Sequence, residues 1–199
     1  MALAEFLHTT RDYYEEHAQA YFDLTKNDVV DLEYFLAGIP ASGRVLDAGC
    51  GFGRNTVNFL ERGLAVDAFD ASDALATVAE RQTGLSVGRT RIEDFSPERA
   101  YDGILVEKVL QHVPLYEWAT IIHKLFDALK PGGILRVTFA EGRATDFTKD
   151  RLFVQKATEG NLTEIFNTLD PIQWTQFIEQ RVQPSDGGLR YIAAYARKG

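Results

Sequence analysis

Residues 47–55 read Asp-Ala-Gly-Cys-Gly-Phe-Gly-Arg-Asn, with glycines at 49, 51 and 53. Glycine lets the backbone turn tightly and lets a ligand approach with no Cβ in the way. The run follows the short apolar segment Arg44–Ala48 and precedes a helical pattern over Asn55–Arg62, so it joins a strand to a helix. In open α/β sheets, ligands bind at the carboxyl ends of strands, and the free N–H groups of the next helix favour an anion there. Asp70 closes the next predicted strand, Ala65–Asp70. A carboxylate at that place can accept both hydroxyls of a ribose, or it can cap the turn at Ala71-Ser72. Two common nucleotide loops do not fit. The dinucleotide pattern G-x-G-x-x-G/A fails at Arg54 and Thr56, and no Gly-Lys-Ser/Thr follows to make a Walker loop.

The elements that must hold this loop follow from hydrophobic periodicity. Two helices lead, Ala2–Asp23 and Asp28–Ala37, and Gly38-Ile39-Pro40 stops the second. Strands and helices then alternate. Strands are predicted at Arg44–Ala48, Ala65–Asp70, Leu85–Arg89, Asp102–Glu107 and Ile134–Phe139. A helix over Asn55–Arg62 is closed by Gly63, and Ser72 caps a second helix over Asp73–Gln82. A third starts at Pro114 and carries Leu115, Trp118, Ile122, Leu125 and Leu129 at steps of three and four. A helix around Leu162–Leu169 precedes two strands, Ile172–Val182 and Leu189–Arg197, joined by the Gly-rich turn Gln183–Gly188. Strands separated by helices pair in parallel with right-handed crossovers. The expected fold is α/β: a doubly wound, mostly parallel, seven-stranded sheet with a C-terminal antiparallel hairpin. One domain is expected over residues 1–199, with residues 1–40 available as a helical lid on a Rossmann-like core at 41–199.

Composition narrows the function. Against 21 Lys and Arg stand 29 Asp and Glu, for a net charge of −8. Such a chain is a poor generic binder of nucleic acid or anionic membrane. A single cysteine, Cys50, excludes an internal disulfide framework and a multi-cysteine zinc site. No segment has the run of apolar residues a membrane span needs. The N-terminus has neither a basic nor an apolar region of the kind a signal peptide carries, so a cytoplasmic location is expected. The four histidines show no metal-ligand spacing and no H-E-x-x-H, and no metal is expected. His112, in Leu110-Gln111-His112-Val113-Pro114, lies just past the fourth strand at the ligand edge. It is the candidate general base, or else a residue that caps the next helix. His17 sits on the leading helix among Tyr13, Tyr14 and Tyr21, while His8 and His123 read as solvated or packed residues.

The segment Asp47–Gly53 resembles the first motif of the class I, seven-stranded S-adenosylmethionine-dependent methyltransferases. Asp70 matches that family's acidic residue at the end of the second strand. Tyr101–Val106 resembles its fourth-strand motif, Leu129–Leu135 its Leu-Lys-Pro-Gly-Gly turn, and Tyr14–Phe22 its N-terminal segment in small bacterial members. The resemblance implies S-adenosyl-L-methionine as methyl donor, with S-adenosyl-L-homocysteine as product. It puts the methionine end over Gly49–Gly53, with its carboxylate near the helix N-terminus and Arg54. The ammonium would meet the Gly49 carbonyl and the field of Asp47. Cys50 would pack as a small residue with its backbone N–H toward the ligand, and Gly51 would floor the cradle. Asp70 would hold the ribose and Ala71 would lie near the adenine. The adenine edge falls at Arg91–Phe95; many members have Asp where this chain has Arg91, which leaves Ile92, Glu93 or the backbone for that contact. Glu107 would face the cofactor, and Tyr21 would close over the methionine end.

The motifs that some members use for exocyclic amines of bases, such as Asn/Asp-Pro-Pro-Tyr/Phe, are absent after Val106. The leading helices and the charged loop Ala140–Gln155 are the material available for a lid, which suits a small-molecule acceptor rather than a nucleic acid or a membrane. The competing expectation is a non-catalytic protein that binds S-adenosylmethionine as a regulator or interaction partner. A nicotinamide-dependent oxidoreductase is argued against by the missing third glycine. Oligomeric state is not specified by any of these features.

Overall fold

The structure, a computed structural model, describes residues 3–143, 145–147, 152–180 and 188–199. Among the described residues, ten strands and six α-helices follow in chain order. Helices α1 (Leu3–Thr25) and α2 (Glu33–Ala37) come first. Next are β1 (Arg44–Ala48), α3 (Arg54–Glu61), β2 (Ala65–Asp70), α4 (Asp73–Thr83) and β3 (Gly88–Arg89). β4 (Tyr101–Val106), a 3₁₀ turn at Leu110–His112, α5 (Leu115–Asp127) and β5 (Leu129–Glu141) continue the alternation. The chain closes with β6 (Asp146–Phe147), β7 (Phe153–Val154), β8 (Lys156–Ala157), α6 (Glu159–Phe166), β9 (Ile172–Glu179) and β10 (Tyr191–Lys198).

The main sheet runs β3-β2-β1-β4-β5-β10-β9. All its pairings are parallel except those of β10, which is antiparallel to both β5 and β9. The seven-stranded path and its closing hairpin are as the periodicity predicts; an eighth strand, β8, adds in parallel beside the end of β5. β1 lies inside the sheet, and its side chains alternate between two cores. Leu46 and Ala48 join the core under α5 and α6, with Trp118, Ile122, Leu125 and Phe166. Val45 faces the other core, with Phe35 of α2 and Phe59 of α3. A strand buried on both faces carries adjacent apolar residues, as Val45 and Leu46 of β1 do.

Several boundaries differ from expectation, each for a local reason. The second helix begins at Glu33, not Asp28, because Asp28 and Asp31 take up backbone and capping contacts outside it. β3 keeps only Gly88–Arg89, since Leu85 and Val87 donate their N–H groups to Thr83 and Glu80 side chains. β5 starts before the Lys-Pro-Gly-Gly turn, with a register shift that pairs Tyr101 with Leu129 and then Gly103 with Ile134. The expected loop Ala140–Gln155 contains the small antiparallel pair β6–β7. The last helix lies earlier than Leu162–Leu169, because Thr158 and Asn161 form a capping box that starts it at Glu159. Of the turn predicted at Gln183–Gly188, residues 183–187 lie outside the described residues, and Gly188 has left-handed backbone with φ of 85°.

Candidate functional site

The loop after β1 is built on left-handed backbone. Gly49, Gly51 and Gly53 have φ of 74°, 58° and 87°. Two of the three are also close-packed. A Cβ on Gly49 would lie 2.4 Å from Val109, and one on Gly53 would press on Ala79. A Cβ on Gly51 would have nothing within 4 Å, so open space lies over the middle of the loop. Gly49 and Cys50 both donate their N–H to the Phe69 carbonyl at 2.9 Å, which ties the loop to the end of β2. The Cys50 N–H is thus turned into the fold, not toward a ligand as expected, because it completes the backbone pairing beyond β1. The Cys50 side chain packs against Ala68, Ala76, Ala79 and Val87, and burial pushes its thiol pKa up.

Asp70 is 9% exposed and bonds the loop directly. Its carboxylate accepts the Gly51 N–H at 2.8 Å and the Ser72 N–H at 2.9 Å, so it both caps the turn at Ala71 and sits beneath the glycines. Burial raises its pKa against those two bonds. Asp47, 1% exposed, accepts the Thr56 hydroxyl at 2.6 Å. Burial, added to by the charges of Asp70 and Glu107, pushes its pKa up to about 7. Glu107, just past β4, accepts from Arg136 and from the Thr138 hydroxyl. Burial opposes its charge, yet Arg136 and Thr138 hold its carboxyl below the usual range. Three carboxyl groups, Asp47, Asp70 and Glu107, therefore gather around one turn.

Helix α1 lies over this turn. Tyr21 and Phe22 pack edge-on against Phe52 at centroid separations of 6.0 and 5.0 Å. Glu15 accepts the Ser72 hydroxyl and the Ala74 N–H, fastening α1 to the start of α4. Arg54 donates to the Thr25 carbonyl at 2.8 Å and lies 4.0 Å from Asp28. These contacts anchor the end of α1. The Arg54 Nε is one of two buried side-chain polar atoms without a partner among the described residues; the other is Gln111 Oε1.

His112 meets α1 from the far side. Its Nδ1 bonds the Phe153 carbonyl at 2.8 Å, which can only accept, so Nδ1 carries the proton. Nε2 is then the acceptor, for the Tyr14 hydroxyl at 3.3 Å and the Gln111 amide at 3.2 Å. Burial lowers the His112 pKa to about 4, so the ring is neutral at pH 7. Tyr14 escaped the sequence reading because an aromatic at helical spacing is usually core. Its hydroxyl and that of Tyr21 are both pushed up by burial.

The remaining expected contacts lie to one side. Ile92 is buried against the core that holds Phe69 and Phe95. Glu93 does not present a free carboxylate: it is paired with Arg91, two residues away. His17 stacks on Tyr13 at the surface, and His123 bonds the Thr168 hydroxyl. A separate cleft of about 330 Å³, lined by Glu141, Arg143, Thr158, Glu159, Glu179 and Ile192, shares no residue with the glycine turn. No helix of the described residues is long and apolar enough to cross a membrane.

Residues 45–133 match the family described as methyltransferase domain. The chain is 36% identical over 114 residues to a ubiquinone biosynthesis O-methyltransferase of Xanthomonas axonopodis pv. citri, covering 53% of this chain and 47% of the relative. It is 30% identical over 109 residues to a trans-aconitate 2-methyltransferase of Variovorax paradoxus, covering 53% and 41%. The chain thus spans about half the length of the curated relatives it matches. Among solved structures, a 1,6-didemethyltoxoflavin-N1-methyltransferase of Burkholderia thailandensis with bound S-adenosylhomocysteine superposes with a TM-score of 0.72. Its identity to this chain is 24%, over 100% of this chain and 91% of that one. A magnesium protoporphyrin IX methyltransferase of Synechocystis PCC 6803 with bound S-adenosylmethionine gives 0.72 at 16% identity, over 98% and 97%. Residues 45–133 thus resemble a methyltransferase domain, and the sheet topology is shared with solved S-adenosylmethionine-dependent methyltransferases.

Proposed function

We propose that the chain transfers a methyl group from S-adenosyl-L-methionine to a small-molecule acceptor, as one domain with residues 1–40 as its lid, in the cytoplasm. The carrying observation is the Gly49–Gly53 turn, open above Gly51 and bonded by Asp70 from below. The residues fit the donor on three counts. Asp70 retains acceptor capacity for a ribose diol at the edge of the open space. The carboxylates of Asp70 and Glu107 beside the turn suit a ligand that is cationic at sulfur and nitrogen. The buried Arg54 Nε and Gln111 Oε1 offer one donor and one acceptor to a polar ligand.

When bound, S-adenosylmethionine supplies an electrophilic methyl on a sulfonium leaving group. The protein then has to align an acceptor with that methyl and receive the acceptor's proton, if it carries one. His112 is neutral at pH 7, its Nδ1–H is fixed by Phe153, and its Nε2 lone pair faces Tyr14. We assign it as the base on the acceptor side, a role that requires an acceptor to displace the Tyr14 hydroxyl and the Gln111 amide from that lone pair. Tyr21 and Phe52 shelter the cation, a contact worth ~0.5–2 kcal/mol per ring.

Calorimetric titration with S-adenosylhomocysteine tests the cofactor half, with micromolar or tighter binding expected. Release of S-adenosylhomocysteine from S-adenosylmethionine with a panel of phenols, amines and carboxylic acids tests the transfer. Absence of nucleoside binding sinks the proposal; binding without turnover on any acceptor class favours the regulatory alternative.

A further inference from the structure

Arg136 lies in the middle of β5, an interior strand, and has no solvent exposure. Its neighbours Leu135 and Val137 are apolar, as interior strand positions usually are. A buried guanidinium adds little to stability, because desolvation offsets the Coulomb gain and apolar replacements are often neutral. Here every nitrogen is used. Nε donates to the Tyr195 hydroxyl at 3.0 Å, and one terminal nitrogen donates to Gln180 at 2.7 Å. The other donates to Glu107 Oε2 and to Thr138 Oγ1, and the Thr138 hydroxyl donates to the same Glu107 oxygen at 2.6 Å. Two side chains of β5 thus fix one carboxylate oxygen, while Tyr195 of β10 and Gln180 just past β9 hold the guanidinium. That carboxylate follows β4 directly, beside β1, where Asp47 is in register with Leu105.

We propose that Arg136 is a positioning residue: it holds Glu107 as an oriented carboxylate that presents negative charge to the sulfonium of a methyl donor lying over Gly49–Gly53. The inference rests on the proposed function. The neighbouring carboxylates support it. Burial raises the pKa of Asp47 and Asp70, while the buried Arg136 and the Thr138 hydroxyl hold Glu107 below the usual range. Arg136 and Thr138 thus fix the orientation of the Glu107 carboxylate beside the glycine turn.

The test compares S-adenosylmethionine with S-adenosylhomocysteine, which lacks the methyl and the positive charge. Calorimetry gives the ratio of the two affinities for the wild type, Arg136→Met, Arg136→Met with Glu107→Gln, and Thr138→Val. Arg136→Met and the double variant are expected to lower the ratio about tenfold, equivalent to about 1.4 kcal/mol. Thr138→Val, which keeps the ion pair and removes one bond to the same oxygen, is expected to lower it about threefold. The double variant, with both charges removed, is expected to melt within a few degrees of the wild type. A structural role would instead lower both affinities together and drop the melting temperature. A ratio unchanged within twofold in the folded variants overturns the inference and leaves the proposed function standing. Failure of the wild type to bind either nucleoside overturns both.

Discussion

The glycine turn after β1 and the wall that faces it are assembled in opposite ways. The turn is one contiguous run: Asp47, Gly49, Gly51 and Gly53 lie within seven residues, and Asp70 reaches them from the adjacent strand. The wall gathers Tyr14 from α1, Gln111 and His112 from the turn after β4, and the Phe153 carbonyl from β7, with 98 residues between Tyr14 and His112. The first is a backbone device, set by φ values that favour glycine. The second is a side-chain device, set by packing of distant elements. A cofactor site common to a family can be written in the former, whereas an acceptor site can change with each lid and loop. The relatives are consistent with this division: they match about half of the chain and carry names for different reactions.

If the two regions divide the labour, variants should separate binding from turnover. The largest effect is expected on the wall: His112→Ala should lower turnover by ~10²-fold or more. Its affinity for S-adenosylhomocysteine should stay within about threefold of wild type. A parallel loss of nucleoside binding would merge the two regions into one. Next, Gly51→Val should abolish nucleoside binding because the added side chain fills the open space. The fold should survive at a cost of about 1–3 kcal/mol for a left-handed β-branched residue, read by urea unfolding. Normal binding by this variant would show that the ligand lies elsewhere.

Asp70→Ala should weaken S-adenosylhomocysteine binding by ~10–100-fold, the loss of charged hydrogen bonds. It should also lower stability by about 1–2 kcal/mol, because the Gly51 and Ser72 N–H groups lose their acceptor. Wild-type affinity would remove Asp70 from the site. The smallest change is a matter of pH. The Asp47 pKa near 7 in the folded chain exceeds its unfolded value, so between about pH 4 and 7 the folded state binds more protons. Its contribution to stability is therefore lost as pH rises through that window. Asp47→Asn, which can still accept from Thr56, should flatten the decline and gain about 1–3 kcal/mol near pH 8. An unchanged pH profile of chemical denaturation would mean that Asp47 ionises normally.

Much of the fold was legible because it depends on local signals. Alternating strand and helix periodicities, with Gly63, Ser72 and Pro114 as punctuation, dictate a parallel sheet and its crossovers. Short elements were less legible. β8 and the β6–β7 pair depend on neighbours, not on their own two-residue sequences. In the site, Cys50 shows the boundary well: its place in the turn follows from sequence, but the direction of its N–H follows from the Phe69 carbonyl across the sheet. Glu93 and Arg54 likewise found protein partners, in Arg91 and in the end of α1.

From the residue order alone came the sheet class, the glycine turn and the acidic residue beside it. These are fixed by backbone conformation and hydrophobic period, which act over a few residues. Tertiary structure decided which side chains meet across the turn: Tyr14 with His112, Glu15 with the start of α4, and Arg136 with Glu107. Those pairings lie in separate elements, and their burial, charge and hydrogen bonding come into being only when the sheet and its covering helices close around them.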